Sequence, residues 1–417
     1  MRNAPKAQPL LFAAWLCCLS SMAVAKLPEG LELSGFAQLS WSSHSNDTPW
    51  LGSWLREGTG VTRFDEDENG LQFNQALLEA SYDVSDHWSA HLSLLGYDDG
   101  DQSLGVTEAH LDWSPLGDGW KQRLRIGLFY PVMSLENVGP GWHSPYTYTF
   151  SAINSWLGEE LRVAGAEYQW TRPGRRYNSP HTYTLVGSVF AHNDGNGTLL
   201  AWRGWALHDR QTLAGERVAF ANYLSFRGML ERQPNWVEPL KETDDRPGYY
   251  LGGHWRYQGQ SDVRLYYYDN RGDGGTLEPS GQYAWNTRFT SLAWQYRFNR
   301  QTRLLAQWMQ GATEMGNPTV ELDFSSWYLM LSHRYQKHRL SLRYDWFDTT
   351  ETDHYPMDPN DSQGDAWTLT WRYPINKHLQ VGAEYLEVTS DNENRRLWYW
   401  PTEETQRQLQ LVLRVGF

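Results

Sequence analysis

Arginine side chains recur at alternate positions along this chain, and they are the groups best suited to bind anions. A guanidinium group can hold a carboxylate or a phosphate through two parallel hydrogen bonds. Acidic side chains at alternate positions come first in the sequence: Glu32, Glu79, Asp83, Glu108 and Asp112. The arginines follow them: Arg123, Arg125, Arg256, Arg264, Arg297, Arg303, Arg334, Arg343, Arg372 and Arg414. Two interpretations are open, because unpaired guanidinium groups would attract anions, whereas paired ones would only stiffen the structure.

The segment 130–157 is a second candidate site because it is rich in aromatic rings. Its candidate residues are Glu136, Trp142, His143, Tyr146 and Tyr148. The rings could stack on sugars or aromatic solutes, or they could pack the segment against a protein wall. His143 has no partner at metal-ligand spacing, so we expect it to make a structural hydrogen bond.

Common catalytic and metal-binding motifs are missing from the sequence. It contains no Gly-x-Ser-x-Gly and no His-Glu-x-x-His, and the adjacent Glu159 and Glu160 would point to opposite faces of a strand. The residues from Asp65 to Gly70 begin like a calcium-binding loop, but Ala76 occupies the position of the closing glutamate. We therefore predict that the protein is not an enzyme and has no metal or other cofactor.

The elements that must position these groups are amphipathic strands. Successive side chains of a strand point to opposite faces. The last twelve residues put Arg407, Leu409, Leu411, Leu413, Val415 and Phe417 on one face, and Gln406, Gln408, Gln410, Val412, Arg414 and Gly416 on the other. Similar runs recur at 123–128, 291–298, 327–334, 340–346 and 367–373. In a transmembrane barrel the apolar face contacts lipid and the polar face lines the lumen.

The N-terminus and the composition are typical of an exported membrane barrel. Residues 1–25 are predicted to be a signal peptide, with a positive start, an apolar stretch and a small-residue cleavage site. Both cysteines, Cys17 and Cys18, lie within it, so residues 26–417 should form a barrel domain without disulfides. The chain has 23 tryptophans and 24 tyrosines, which gather at the interfaces of such barrels. A net charge of −13 argues against a nucleic-acid partner.

The spacing of the runs predicts an all-β, antiparallel transmembrane barrel of sixteen strands. Short connections alternate with long polar ones, which run over about 42–70, 130–157, 192–246, 270–283, 312–323, 348–364 and 389–404. Short turns should face the periplasm and long loops the cell exterior. The segment 199–226 could add a further hairpin, so eighteen strands are the alternative.

The chain resembles bacterial outer-membrane porins, both general and substrate-selective. The resemblance rests on the alternating strands along the whole chain after the predicted signal peptide, on the terminal Phe417 and on the long connection after the fifth strand. The size and the inward arginines are similar to those of phosphate-selective porins. The resemblance implies the outer membrane of a Gram-negative bacterium, contact with its lipid and lipopolysaccharide, and passive diffusion of small hydrophilic solutes, with a preference for anions as a hypothesis. It also implies a homotrimer, an inward-folded constriction loop at 130–157 and recognition of Phe417 by the outer-membrane assembly machinery. A barrel that binds or exports polysaccharide is the alternative, and such barrels are commonly eighteen-stranded.

Overall fold

The computed structural model describes residues 28–417 except 49, 118, 229, 317, 318, 354 and 356, and the predicted signal peptide lies outside the described residues. Sixteen strands form the wall of a barrel: β1 Leu31–Asn46, β2 Gly70–Asp83, β3 Trp88–Gly96, β4 Leu104–Trp113, β5 Lys121–Phe129, β6 Val163–Arg172, β7 His181–Ala191, β8 Gly248–Tyr257, β9 Ser261–Asp269, β10 Asn286–Arg297, β11 Thr302–Met315, β12 Val320–Tyr335, β13 His338–Glu351, β14 Ser362–Pro374, β15 Leu379–Asn392 and β16 Glu403–Gly416. Each strand pairs with its neighbours in the sequence, and β16 pairs with β1 to close the barrel.

The connections differ between the two rims of the barrel. The long-loop rim carries L1 to L8, which span 47–69, 97–103, 130–162, 192–247, 270–285, 316–319, 352–361 and 393–402. The short-turn rim carries 84–87, 114–120, 173–180, 258–260, 298–301, 336–337 and 375–378. Two α-helices lie in the loops: α1 is Ala152–Glu160 in L3, and α2 is Thr198–Trp202 in L4. Single 3₁₀ turns occupy Trp54–Arg56, Glu66–Glu68, Pro140–Trp142, Gly174–Tyr177, Leu224–Phe226 and Glu393–Trp398.

Among the described residues, no helix combines the length and the apolar character that crossing a membrane requires.

The alternating pattern of each strand becomes an inside and an outside of the barrel. In β12, Leu329 and Leu331 are each 46% exposed on the outer surface, whereas Tyr328 is 1% exposed inside the barrel. A half-exposed row of large apolar side chains is unfavourable in water and favourable in lipid. The predicted antiparallel barrel with an apolar exterior and a polar interior is therefore confirmed.

The C-terminal strand closes the barrel in the predicted way. Phe36 lies opposite Gly416, and the register continues without a bulge to Asn46 opposite Gln406. The backbone N–H of Phe417 donates to the carbonyl of Gly35 at 3.1 Å, so the terminal residue is attached to the first strand. Gly35 is required here, because an added Cβ would clash with the backbone carbonyl of Leu77 and would lie 2.8 Å from the Phe417 ring.

Aromatic and histidine side chains form a band on the outer surface near the short-turn rim. The Nε1–H of Trp255 donates to Nδ1 of His181 at 3.1 Å, and Trp371 donates to His338 at the same distance. Rings with one polar edge prefer the depth at which lipid meets water. The band therefore indicates that the short-turn rim lies near one membrane interface.

Two sequence-based predictions need correction in detail. The segment 199–226 adds no strand to the wall; it contains α2 and one strand of a two-residue pairing, Val218–Ala219 with Trp236–Val237, outside the barrel sheet. Sixteen strands are therefore confirmed. The polar connection predicted at 312–323 is reduced to 316–319, since β11 and β12 continue as strands beyond the apolar belt.

Candidate functional site

L3 crosses the lumen from β5 to the opposite wall at β13 to β15, eight strands away in a barrel of sixteen. Glu136 forms an ion pair with Arg343 of β13 at 2.8 Å, and both side chains are 0% exposed. The Arg343 Nε also contacts Asp345 at 2.6 Å. Beyond this cluster, the backbone N–H groups of Tyr148 and Thr149 donate to the Glu384 carboxylate at 2.6 and 2.7 Å. L3 is therefore fastened to the far wall by buried charges.

The aromatic residues of L3 are held by arginines rather than left free. The guanidinium of Arg339 lies 5.3 Å from the centre of the Tyr146 ring, and that of Arg372 lies 4.6 Å from the Tyr148 ring. Cations over a ring face are attracted by its quadrupole. Both tyrosines are buried, so of the two interpretations the structure favours packing against the wall over a surface that awaits a solute.

His143 and Trp142 fix L3 through contacts with strand β2 and with the first residue of the loop. The His143 Nε2 lies 2.8 Å from Oε1 of Gln75, and its Nδ1 lies 3.0 Å from the Pro140 carbonyl. Burial, and then the charge of Arg414, lower the pKa of His143 to about 3, so the ring is neutral. Trp142 stacks on Tyr130 with ring centres 4.3 Å apart. The hydrogen bonds of His143 agree with the structural role expected for it.

L4 also folds into the barrel, which the sequence did not reveal. The Arg203 guanidinium, just after α2, forms an ion pair with Glu159 of α1, with Nη1 2.7 Å from Oε1. Glu160, the next residue of α1, accepts hydrogen bonds from the backbone N–H groups of Gly197 and Leu199 at 3.0 and 2.9 Å. The two glutamates therefore do not lie on opposite faces of a strand. They belong to a helix, and both of them bind L4.

The far part of L4 reaches the wall on the other side of the lumen. The Asn392 amide of β15 donates to the Arg203 carbonyl at 3.0 Å. Asp209 forms an ion pair with Arg63 of L1 at 2.8 Å. The Asp209 carboxylate also accepts from Gln38 of β1 at 3.4 Å. L4 thus spans from β7 to β15 and β1, on top of L3.

Together the two loops fill the middle of the lumen. Polar side chains that point inward from the wall are at most 1% exposed, for example those of Gln38, Gln75, Gln307, Thr368 and Glu384. In an open, water-filled pore such side chains would be hydrated. The structure is therefore a barrel whose interior is occupied by its own loops at mid-height.

The predicted lining arginines divide into two groups. Arg123 pairs with Asp112 at 2.7 Å, Arg125 with Glu167 at 2.8 Å, and Arg264 more loosely with Asp262 at 3.7 Å. The buried Arg343 joins this paired group, so it lies inside the barrel but beneath L3. Within the described part of the chain, no carboxylate lies within 4.0 Å of Arg256, Arg297, Arg303, Arg334, Arg372 or Arg414. The arginines of the lumen thus divide into a paired subset and a subset without carboxylate partners among the described residues.

The unpaired arginines gather in the short-turn half of the lumen, along β8 to β16. Arg339 belongs to them and was missed by the sequence analysis, although it alternates with Ser341 and Arg343. Its Nη1 donates to the Ser332 hydroxyl at 2.9 Å. The Arg372 Nη1 donates to the Ser144 carbonyl at 2.7 Å, and the Arg414 Nε donates to the Gln38 amide oxygen at 3.1 Å. These contacts leave the positive charges uncompensated.

The predicted acidic residues lie on the opposite part of the wall, beside a cavity. Glu79 accepts from the Gly141 N–H of L3 at 2.7 Å, and Glu108 accepts from the Tyr130 N–H at 3.0 Å. With Arg125, Asn137, Trp142 and Arg264 they line a cavity of about 340 Å³, which we call the inner chamber. Asp112 stands nearer the rim, paired with Arg123.

The contact between α1 and L4 should depend on pH. Burial raises the pKa of Glu160 to about 7, against the hydrogen bonds that it accepts from L4 and from Trp156. Arg203 and His208 outweigh burial at Glu159 and hold its pKa at about 2, so Glu159 stays charged. Because Glu160 binds its proton more tightly when L4 is docked, docking is strongest below about pH 4.5 and weakens until about pH 7.

We therefore expect the rate of limited proteolysis within L4, relative to that of a pH-matched unfolded reference peptide, to rise from pH 5 to pH 7 and then to level off. The variant Glu160→Gln cannot titrate and should flatten this rise. Burial also raises the pKa of Asp194, at the base of L4, to about 7. Asp194 should therefore account for the pH dependence that remains in the Glu160→Gln variant. A relative proteolysis rate that falls as pH rises over this interval would contradict the pH-dependent docking of L4.

Comparisons with known proteins agree with this architecture. No family model matches the sequence, and no curated protein matches it. Among solved structures, the outer membrane channel DcaP of Acinetobacter baumannii superposes with a TM-score of 0.56 at 11% identity, covering 94% of this chain and 99% of that one. OmpT of Vibrio cholerae gives 0.52 at 9% identity, covering 94% and 99%. An anion-selective porin from Comamonas acidovorans gives 0.51 at 13% identity, covering 93% and 99%. The resemblance inferred from the sequence is confirmed at the level of the fold: the chain is a sixteen-stranded barrel of the outer-membrane porin type.

Proposed function

We propose that this protein is a passive diffusion channel for small hydrophilic solutes in the outer membrane of a Gram-negative bacterium, with L3 as its constriction loop. The observation that carries the proposal is the closed barrel, apolar outside and charged inside, whose cross-section is blocked only by its own loops. Two structures with a similar fold, the outer membrane channel DcaP and the anion-selective porin, support it. We also propose that the barrel is oriented with its short-turn rim towards the periplasm and its long-loop rim towards the cell exterior.

We further propose that the structure represents a closed form and that L4 must move for solutes to pass. L4 is held in the lumen by ion pairs, by hydrogen bonds and by a buried apolar cluster that includes Leu199, Trp202 and Trp205, but it contributes no strand to the continuous ladders of the barrel sheet. Segments outside a sheet can open locally at lower free energy than the sheet that carries them. L4 is therefore the gate of the proposed channel, and L3 is the fixed constriction.

The unpaired arginines support a preference for anions on the periplasmic side. Guanidinium groups without carboxylate partners raise the local concentration of anions and lower that of cations. We expect the reversal potential across a KCl gradient to have the sign of anion selectivity. The double variant Arg303→Gln/Arg339→Gln should shift it towards zero, because it removes two charges from the lumen.

Arg288→Gln is the matched control, since Arg288 is an exposed side chain on the outer face of β10. It should leave the reversal potential unchanged. A clear cation preference of the unaltered protein would refute the anion hypothesis without touching the channel function.

The partners of the protein are proposals that follow from the porin fold. We propose a homotrimer, supported by the solved trimer form of OmpT. Lipid and lipopolysaccharide would cover the outer surface, and the assembly machinery would recognise the C-terminal strand with Phe417. The alternative of a polysaccharide-binding or polysaccharide-exporting barrel loses its main support, because it drew on a count of eighteen strands. The absence of enzyme activity stays a prediction.

A further inference from the structure

We propose that the inner chamber binds small zwitterions that carry an ammonium and a carboxylate group, such as α-amino acids. The inference deepens the proposed function by naming a solute class, and it rests on that function only for the route by which the solute arrives. It is carried by two opposite charges that face one cavity without pairing with each other.

The acidic side of the chamber has no arginine or lysine partner in the described part of the chain, although the His91 ring, which also lines the chamber, has its Nε2 3.9 Å from Oε1 of Glu79. Among the described residues, neither Glu79 nor Glu108 has an arginine or lysine nitrogen within 4.0 Å. Each carboxylate accepts a backbone N–H from L3, at 2.7 and 3.0 Å, which orients it without supplying a full counter-charge. Two carboxylates at one side of a small cavity favour an ammonium group.

The basic side of the chamber is Arg264 of β9. Its Nη1 donates to the Ser134 carbonyl of L3 at 2.7 Å, and its nearest carboxylate, Asp262, lies 3.7 Å away. The Nε of Arg264 is buried and has no hydrogen-bond partner. A guanidinium edge with a free N–H is suited to a ligand carboxylate.

Two further buried atoms point to a polar occupant. The side-chain oxygen of Asn137, a residue 5% exposed, has no partner, and neither has the Nε of Arg125. Buried polar atoms are normally hydrogen-bonded, so an acceptor and a donor left free at one cavity indicate a ligand or water with both functions. The Trp142 ring completes the lining and suits an apolar side chain of the ligand.

The charges exclude simpler ligands. An inorganic anion would face Glu79 and Glu108, and a metal cation would face Arg125 and Arg264. The volume of about 340 Å³ lies at the lower end of the range of small-molecule sites, so the occupant must be small. A molecule with one charge of each sign satisfies both sides of the chamber.

Calorimetric titration of the refolded full-length barrel in detergent tests the proposal with three matched probes. L-leucine carries both charges, 4-methylpentanoate lacks the ammonium group, and 3-methylbutylammonium lacks the carboxylate. We expect leucine to bind about tenfold or more tightly than either single ion, because each charge-assisted hydrogen bond contributes a factor of that order.

Two variants separate charge recognition from structural damage. Glu108→Gln can still accept the Tyr130 N–H, and it should weaken leucine and 3-methylbutylammonium about tenfold but not 4-methylpentanoate. Arg264→Gln should weaken leucine and 4-methylpentanoate but not 3-methylbutylammonium. Glu314→Gln at the outer end of β11, bonded to Asn286 at 2.8 Å, is the control and should change nothing.

The proposal is overturned if unaltered protein binds leucine no better than the two single ions, a result that needs no variant to fold. It is equally overturned if both variants weaken all three probes alike. Conductance in planar bilayers distinguishes this failure from that of the proposed function: a conducting barrel without leucine binding removes only the zwitterion site, and a leucine-binding barrel that never conducts removes the channel.

Discussion

Replacing residues 192–246 with an Asn-Gly turn is expected to raise the single-channel conductance several-fold. The exchange is geometrically simple, because β7 and β8 are already neighbours, with Phe190 opposite Gly248. Asn-Gly is the preferred sequence of a two-residue hairpin turn. The change removes α2 and the ion pairs that hold L4 across the lumen, so the side chains above L3 become hydrated. Conductance in planar bilayers at one salt concentration is the measurement.

A matched control shortens the opposite rim, with 175–180 replaced by Asn-Gly between β6 and β7. That turn does not cross the lumen, so its loss should change conductance little. Equal conductance of the unaltered and the L4-shortened barrels would mean that L4 does not obstruct the path.

Arg343→Gln should cost about 3–5 kcal/mol of the free energy of unfolding, the range found when one partner of a buried ion pair is removed. The substitution leaves the Glu136 and Asp345 carboxylates buried without a counter-charge. It also removes the donors to the carbonyls of Thr149 and Phe150, at 2.7 and 2.8 Å, which fasten L3 to the wall. Urea unfolding in micelles, followed by tryptophan fluorescence, measures the loss.

Arg372→Gln is the comparison for this prediction. Arg372 also binds L3, through the Ser144 carbonyl, but it has no carboxylate partner among the described residues. Its loss should cost less, about 1.5–3 kcal/mol, as for hydrogen bonds to a charged group. If the two variants unfold at the same urea concentration, the buried cluster does not anchor L3.

The wall of the barrel could be predicted from sequence because one physical rule governs every strand. Lipid requires an apolar face and the closed sheet satisfies all backbone groups, so alternation over about ten residues reports a strand directly. Residues such as Leu329, Leu369 and Leu411 follow this rule, and the strand number and the closing strand followed from it.

The contents of the lumen could not be predicted in the same way. A loop that folds into a polar lumen has the same mixed composition as one exposed to water, so Asp209 and Gln211 carry no signal of burial. One feature of the sequence does bear on L4: Trp202-Arg203-Gly204-Trp205 does not alternate cleanly between apolar and polar residues. It suggested a poor strand, whereas it forms the end of the short helix and the turn that pack on α1.

Which arginines form ion pairs could not be predicted from the sequence either, because the pairing depends on the paths of the loops. Arg343 and Arg303 both point into the lumen from their strands. Of the two, only Arg343 forms an ion pair, and its partner is Glu136, which belongs to L3. Arg303 instead donates to the Tyr146 hydroxyl at 3.1 Å. Which guanidinium group stays available to a solute is decided by the path of L3 rather than by strand periodicity.

The most direct test of a channel gated by L4 is a reversible tether between L4 and the wall. A Cβ added at Gly204 would lie 3.2 Å from Cβ of Ser362, near the ~3.5–4.5 Å of disulfides, and the positive φ of Gly204 adds about 1–2 kcal/mol of strain. The chain has no cysteine beyond Cys18, so Gly204→Cys/Ser362→Cys forms a single bridge. The oxidised barrel should not conduct in planar bilayers, and a reductant should restore current in the same membrane. Equal currents before and after reduction of a verified disulfide would contradict gating by L4.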